Sequence, residues 1–178
     1  MSMSHLTELA GIAYVPNFIA EPDVLLQQLL QQVAWDTRMQ ARLTASFGKA
    51  YNYSQMTYPE QAMLPALAEL LPAITDTVGF APNNCLINHY TDGNARMGYH
   101  ADQTDVLVGD TGIVIVSLGS ERHITFRNKA DPNIKISHTL AHGSLFYMNQ
   151  SIQAQWQHAI PACKTDAVRL SLTFRCLK

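Results

Sequence analysis

The chain has 178 residues, of which 47% are hydrophobic and 15% charged, a balance that fits one folded domain with a real core and lies far from disorder or a membrane span. Its formal net charge of −2 and pI near 6.4 argue against tight, non-specific binding of duplex nucleic acid, which calls for a basic face. Met1 to His5 lacks the basic-then-apolar plan of a signal peptide, and Cys85, Cys163 and Cys176 suit neither a disulfide framework nor a zinc ribbon, so the expectation is a cytoplasmic protein with free thiols.

In chain order, Ile12 to Phe18 reads as a short strand ending in a turn near Asn17. From Pro22, apolar residues at Val24, Leu25, Leu26, Leu29, Leu30 and Val33 fall at helical spacing, and a proline is tolerated at a helix start because the first N–H groups lack partners anyway. Arg38 to Ser46 reads as extended, and Phe47 to Ser54 as a mobile, aromatic, glycine-containing segment. A second helix is expected from Pro65 to Val78, divided or kinked at Pro72 and ended by Gly79.

Beyond residue 80 the apolar period changes from 3.6 to two. Strands are expected at Cys85 to Tyr90, Tyr99 to Gln103, Ile113 to Leu118, His123 to Arg127, Ile134 to Leu140, Ser144 to Met148, Gln155 to Ile160 and Val168 to Cys176. Eight short strands after a helical layer define a mainly β protein with supporting helices (α+β), a double-stranded β-helix or jelly roll with the N-terminal helices packed on one side. Residues 1–178 are read as a single domain, with 1–80 as helical support and substrate lid and 81–178 as the catalytic core.

The chemistry centres on Gly98-Tyr99-His100-Ala101-Asp102 and Trp156-Gln157-His158. A histidine and a carboxylate two residues apart on a strand point the same way, so His100 and Asp102 can grip one ion and His158 can complete the set. Two imidazoles and one carboxylate with open coordination positions suit Fe(II) in oxygen-activating enzymes. His138 and His142, four apart, would serve as a ligand pair on a helix, but they fall on a strand and a turn and are rejected as ligands. Trp156 reads as a packed aromatic beside the metal-bearing strand.

The last strand adds specificity. Arg169, Ser171, Thr173 and Arg175 share one face, and Leu170, Leu172 and Phe174 the other. A buried guanidinium needs an anionic partner and matches a carboxylate bidentately, so the polar face looks built for a small dicarboxylate.

With these motifs, together with Leu86-Ile87-Asn88-His89-Tyr90, Ser117-Leu118-Gly119 and His142-Gly143-Ser144-Leu145 in the same order, the chain resembles the AlkB-type Fe(II)/2-oxoglutarate-dependent dioxygenases. The resemblance covers nearly the whole second half. It implies the same fold, Fe(II) held by His100, Asp102 and His158, and 2-oxoglutarate and O₂ as co-substrates. Asn88 and Tyr90 would contact 2-oxoglutarate, Arg169 would hold its distal carboxylate, and Arg175 would orient the end near the metal. Ser171 stands where many relatives carry Asn, and with Thr173 completes the co-substrate face.

Tyr51, Tyr53 and Ser54 sit where nucleobase-acting relatives place an aromatic lid, and Arg127 or Lys129 is expected to meet a phosphate or base edge. Thr104 occupies a position where several base-demethylating relatives carry an acid, with Asp105 one residue further on. The implied activity is oxidative demethylation of N-alkylated nucleobases in single-stranded DNA or RNA, a DNA-repair function carried out by a monomer with no membrane partner. The alternatives are hydroxylation of a small molecule, a protein or a tRNA modification, and a non-catalytic jelly-roll metal-binding module.

Overall fold

The computed structural model describes residues 9–53 and 55–178. The chain runs β1 (Ile12–Val15), α1 (Pro22–Gln32), β2 (Leu43–Gly48), β3 (Tyr51–Tyr53), β4 (Met56–Tyr58), α2 (Pro65–Ala68), α3 (Leu71–Val78), β5 (Asn84–Tyr90), β6 (Met97–His100), β7 (Ile113–Gly119), β8 (Arg122–Asn128), β9 (Lys135–Leu140), β10 (Leu145–Met148), α4 (Gln150–Gln155), β11 (Trp156–Ile160) and β12 (Arg169–Arg175). A larger antiparallel sheet has the order β1-β10-β7-β12-β5-β2, and a smaller one the order β6-β11-β8-β9. They form the expected jelly roll.

The alternation read in β12 decides how the layers stack. Leu170, Leu172 and Phe174 are fully buried with Cys85, Ile87, Val114, Val116 and Leu118 against Leu25, Leu29, Leu67 and Ile74 of the helices. Each such side chain is worth about 1.5–3 kcal/mol of burial, so this face fixes the register. The opposite face looks into the space between the sheets, beside a second core of Leu86, Ile115, Ile124, Phe126 and Ile160. A slip of one residue would exchange the faces and put arginines under the helices.

Local signals mostly act as expected. Pro72 occupies the second position of α3, where its missing N–H has no helical partner to lose, and the helical stretch divides just before it. Gly79 ends α3 at φ +85°, with its N–H on Thr75 O at 2.8 Å. Gly119 closes β7 at φ +89°, where a Cβ would lie 2.3 Å from Val168 O, so the turn into β8 admits no side chain.

Three expectations need correction. The division at residue 80 is not a structural boundary, because β1 and β2 pair with β10 and β5 and form the two edges of the larger sheet. The segment read as mobile over Phe47 to Ser54 instead holds the end of β2 and β3, and β3 pairs with β4 in a hairpin that sets Tyr51 opposite Tyr58 and Tyr53 opposite Met56. The strand expected over Tyr99 to Gln103 is instead β6, ending at His100, so Asp102 lies in the following loop. Its N–H bonds to the Gln153 side chain instead of a neighbouring strand.

Candidate metal and co-substrate site

Antiparallel pairing of β6 with β11 places His100 directly opposite His158. Their Nε2 atoms lie 3.6 and 3.7 Å from Asp102 Oδ1, too far for direct hydrogen bonds. The three ligand atoms fall within 4.8 Å of one another, a set that can hold one metal ion. His100 Nδ1 donates to Gly98 O at 2.9 Å, because a carbonyl only accepts, and that fixes the Nε2 lone pair toward the shared centre. Burial, and after it the neighbouring His100, pushes His158 down to about 3, so its ring stays neutral and able to ligate. The donor set therefore fits Fe(II).

Asp102 reaches this site by a different route from the one its sequence spacing suggests. Its backbone N–H donates to Gln153 Oε1 at 2.8 Å, and Gln153 is a buried residue of α4. Arg175 donates through Nε and Nη2 to Asp102 Oδ2 at 2.8 and 2.6 Å. Burial opposes the carboxylate's charge, but Arg175 and then the two imidazoles outweigh it and hold the group well below the usual carboxylate range. Asp102 is thus an ionised ligand whose second oxygen is already spoken for.

Strand pairing also assembles the co-substrate face. Arg169 lies opposite Tyr90 and Gly119, Ser171 opposite Asn88 and Ser117, Thr173 opposite Leu86 and Ile115, and Arg175 opposite Asn84. Asn88, Ser171, Thr173 and Arg175 line a narrow cleft that reaches His100, Asp102 and His158. One step further along the same face, Arg169 is fully buried, its Nη2 on Ser117 Oγ at 3.0 Å and its guanidinium 5.1 Å from the Tyr90 ring centroid. Among the described residues its Nε and Nη1 have no hydrogen-bond partner. A buried cation with two free donors and no carboxylate fits an incoming carboxylate group, as 2-oxoglutarate would supply.

Beyond His100 and Asp102, the cleft opens into a cavity of about 440 Å³ whose lining includes Arg42, Tyr51, Tyr53, Tyr99, His100 and Asp102. The Tyr51 and Tyr53 rings stack with centroids 6.2 Å apart, and Tyr51 also lies 4.8 Å over the Arg175 guanidinium. Ser54 lies outside the described residues. Thr104 and Arg127 line neither cavity nor cleft: the Thr104 carbonyl accepts from Leu107, and Arg127 stacks 4.0 Å behind Tyr99 while donating to Gln157 Oε1.

Several side chains at the site escaped the sequence reading. Arg42 donates to Asn88 Oδ1 at 2.7 Å, to Arg96 O at 3.0 Å and to the Tyr53 hydroxyl, joining the co-substrate face, the approach to β6 and the aromatic hairpin. In the sequence it is one more cation before an alternating strand. Tyr99 was passed over as a strand residue between two glycine- and histidine-bearing positions. Asn149, the side chain that caps α4 by accepting from Ile152 N–H, was the available signal for the helix that carries Gln153.

The fold and this donor set define an iron-dependent oxygenase, and comparison with known proteins agrees. The 2OG-Fe(II) oxygenase superfamily model matches residues 4–175. The chain is 32% identical over 191 residues to the alpha-ketoglutarate-dependent dioxygenase alkB homolog 3 of Rattus norvegicus, covering 95% of this chain and 65% of that protein. It is 31% identical over 179 residues to the DNA oxidative demethylase ALKBH2 of Homo sapiens, covering 88% and 69%. The solved structure of OsALKBH1 superposes with a TM-score of 0.71 at 14% identity, covering 97% of this chain and all of that one, which supports the fold alone. The chain belongs to the 2OG-Fe(II) oxygenase superfamily, within its AlkB-like group. It spans about two thirds of the length of the curated relatives it matches.

Proposed function

We propose that this chain removes N-linked alkyl groups from nucleobases in single-stranded DNA or RNA by oxidation, acting as a monomer. The observation that carries the reading is the aromatic mouth. A cavity of about 440 Å³, within the range of small-ligand sites, has His100 and Asp102 in its lining beside Tyr51, Tyr53 and Tyr99. Aromatic faces stack on any base taken out of its helix, and the near-neutral charge suits a short single-stranded contact better than a long duplex one. The relatives it matches include proteins described as DNA oxidative demethylases.

When bound at His100, Asp102 and His158, Fe(II) with 2-oxoglutarate supplies the oxidation, one oxygen atom of O₂ entering the substrate C–H bond and the other appearing in succinate as CO₂ leaves. The chain's own residues position and protect. Arg169 and Tyr90 receive the distal carboxylate, Asn88 is held in place by Arg42, and Arg175 keeps Asp102 ionised and oriented. The Tyr53 hydroxyl is pushed up to about 12, chiefly by burial, so it stays protonated beside Arg42. A methyl on a base nitrogen that has gained a hydroxyl then breaks its C–N bond, the pair returning to nitrogen, the hydroxyl proton leaving, and formaldehyde departing.

One observation favours a second reading, hydroxylation of a small molecule, a protein or a tRNA modification. Neither Thr104 nor Asp105 lines the mouth, and the one acid among its described lining residues, Asp102, is already paired with Arg175 and placed as a metal ligand. The test is succinate and formaldehyde release with Fe(II), 2-oxoglutarate and O₂, with and without a single strand carrying N-methylated adenine or cytosine. Formaldehyde that depends on the methylated strand is expected. Succinate without it would move the substrate to the second class.

A further inference from the structure

One large buried cation is unused by the chemistry above. Arg122, at the start of β8 in the smaller sheet, is 2% exposed, and its guanidinium lies 5.1 Å from the Tyr90 ring centroid, the same distance as Arg169. Its Nη2 donates to Ala95 O and Pro161 O, both at 2.8 Å, and Nη1 approaches Asp92 O at 3.4 Å. Those carbonyls belong to the turn leading into β6, which carries His100, and to the residue just after β11, which carries His158. Among the described residues Arg122 has no carboxylate in any salt bridge. Two guanidiniums therefore share one tyrosine ring in the buried interior, and among the described residues neither has a carboxylate partner.

That arrangement is expensive for structure alone. Isolating two like charges away from water is unfavourable unless something anionic joins them. Burial lowers the Arg169 pKa, and the charge of Arg122 lowers it further. Backbone carbonyls solvate Arg122 but cannot cancel its charge. Among the described residues Arg169 has two donors without a partner, Nε and Nη1, whereas Arg122 spends both terminal nitrogens on carbonyls and keeps only Nε unpaired, so Arg169 has more to offer a ligand.

We propose that Arg122 is a positioning residue of the co-substrate site: it fixes Tyr90 between the two sheets and adds a second buried positive charge behind the place where Arg169 receives a carboxylate. This rests on the 2-oxoglutarate reading of that face. Its consequence is specificity: the site selects a distal carboxylate over an uncharged end of the same length, and Arg122 supplies part of that discrimination without touching the ligand.

The test measures binding as well as turnover. The protein is loaded with Mn(II) in place of Fe(II) and titrated calorimetrically with 2-oxoglutarate and with 2-oxopentanoate, which keeps the keto-acid end but ends in a methyl group. Arg122→Met is expected to weaken 2-oxoglutarate binding roughly tenfold, the size of one charge acting at reduced dielectric, and to leave 2-oxopentanoate unchanged. Arg122→Lys restores most of the loss by restoring the charge. In turnover with Fe(II), the KM for 2-oxoglutarate rises while kcat at saturation holds.

Unchanged 2-oxoglutarate affinity in a folded variant, or an equal loss for both ligands, would overturn the proposal. Failure of both variants to fold would also overturn it, leaving Arg122 as a staple of the fold. A wild-type protein that binds Mn(II) but discriminates nothing between the two acids would instead remove the co-substrate reading beneath it.

Discussion

Two arginines six residues apart on one face of β12 show how a folded chain separates what it keeps for itself from what it offers to a ligand. Arg175 is buried with its own carboxylate: it bonds Asp102 twice, and that partnership, with Tyr51 nearby, overcomes burial and raises its pKa. Arg169 is buried as deeply but has no carboxylate, and burial lowers its pKa. The same residue type on the same surface has a carboxylate in one place and, among the described residues, none in the other, although Arg175 also keeps an unpaired Nη1 toward the cleft. A completed pair orients a metal ligand, whereas an uncompleted cation is a receptor for an outside anion.

The largest effect belongs to the metal end. His100→Ala is expected to abolish succinate formation while leaving the melting temperature of the metal-free protein near that of the wild type, because the side chain is partly exposed and its hydrogen bond is to the nearby Gly98 carbonyl. Substantial turnover by this variant would sink the ligand assignment. The arginines then separate by sign. Arg175→Met strands the Asp102 carboxylate, whose side chain is 4% exposed, and should cost about 3–5 kcal/mol of stability by urea unfolding. Arg169→Met removes an unpaired charge, so the ligand-free protein should be no less stable, while 2-oxoglutarate affinity falls roughly 30- to 100-fold, the worth of charged hydrogen bonds. Equal destabilisation by the two substitutions would erase the distinction.

Much of this contrast was legible beforehand. Strict alternation in Arg169 to Arg175 gives the two faces of β12, since each strand residue answers only to the side of the sheet it occupies. The His100 and Asp102 pairing was also visible, although for an incomplete reason: Asp102 is set by a loop and by Gln153, not by strand geometry. Hidden from the sequence were contacts between distant positions. Arg42 meets Asn88 46 residues away, and Gln153 meets Asp102 51 residues away. Such pairs carry no period. The short α4, with the sequence Gln-Ser-Ile-Gln-Ala-Gln, has too few apolar residues for a helical pattern, and only its Asn149 cap announces it.

A pH series sharpens the comparison at the metal end. The unfolded chain takes up a proton at His158 near 6.5, while the folded chain resists until about 3. Between those values the unfolded state binds more protons, so this contribution to stability is full above about 6.5 and is lost as pH falls through the window. His89 and His138, also lowered by burial, act in the same direction. The carboxylate of Asp102, held low, loses its contribution only at more acidic pH. Metal-free protein should therefore lose up to about 1.4 kcal/mol per pH unit from His158 below 6.5. His158→Gln should flatten that slope, whereas Arg169→Met should leave it intact. A slope unaffected by His158→Gln would contradict the buried neutral imidazole.

The smallest expected effect tests whether the metal end is positioned separately from the carboxylate end. Gln153 is 2% exposed, and its Oε1 accepts the Asp102 N–H. Gln153→Ala leaves that donor without its partner and frees the loop after β6, without removing a ligand atom or touching Arg169. Metal affinity, measured by Mn(II) titration, should weaken about tenfold, as for other groups that orient metal ligands. At saturating metal, the preference for 2-oxoglutarate over 2-oxopentanoate should stay at the wild-type ratio, because the charges proposed to read the distal carboxylate sit around Tyr90, at the far end of the strand face. If the ratio falls together with metal affinity, the two ends of β12 move as one unit, and the division between a self-completed arginine and a ligand-completing one is not a division of function.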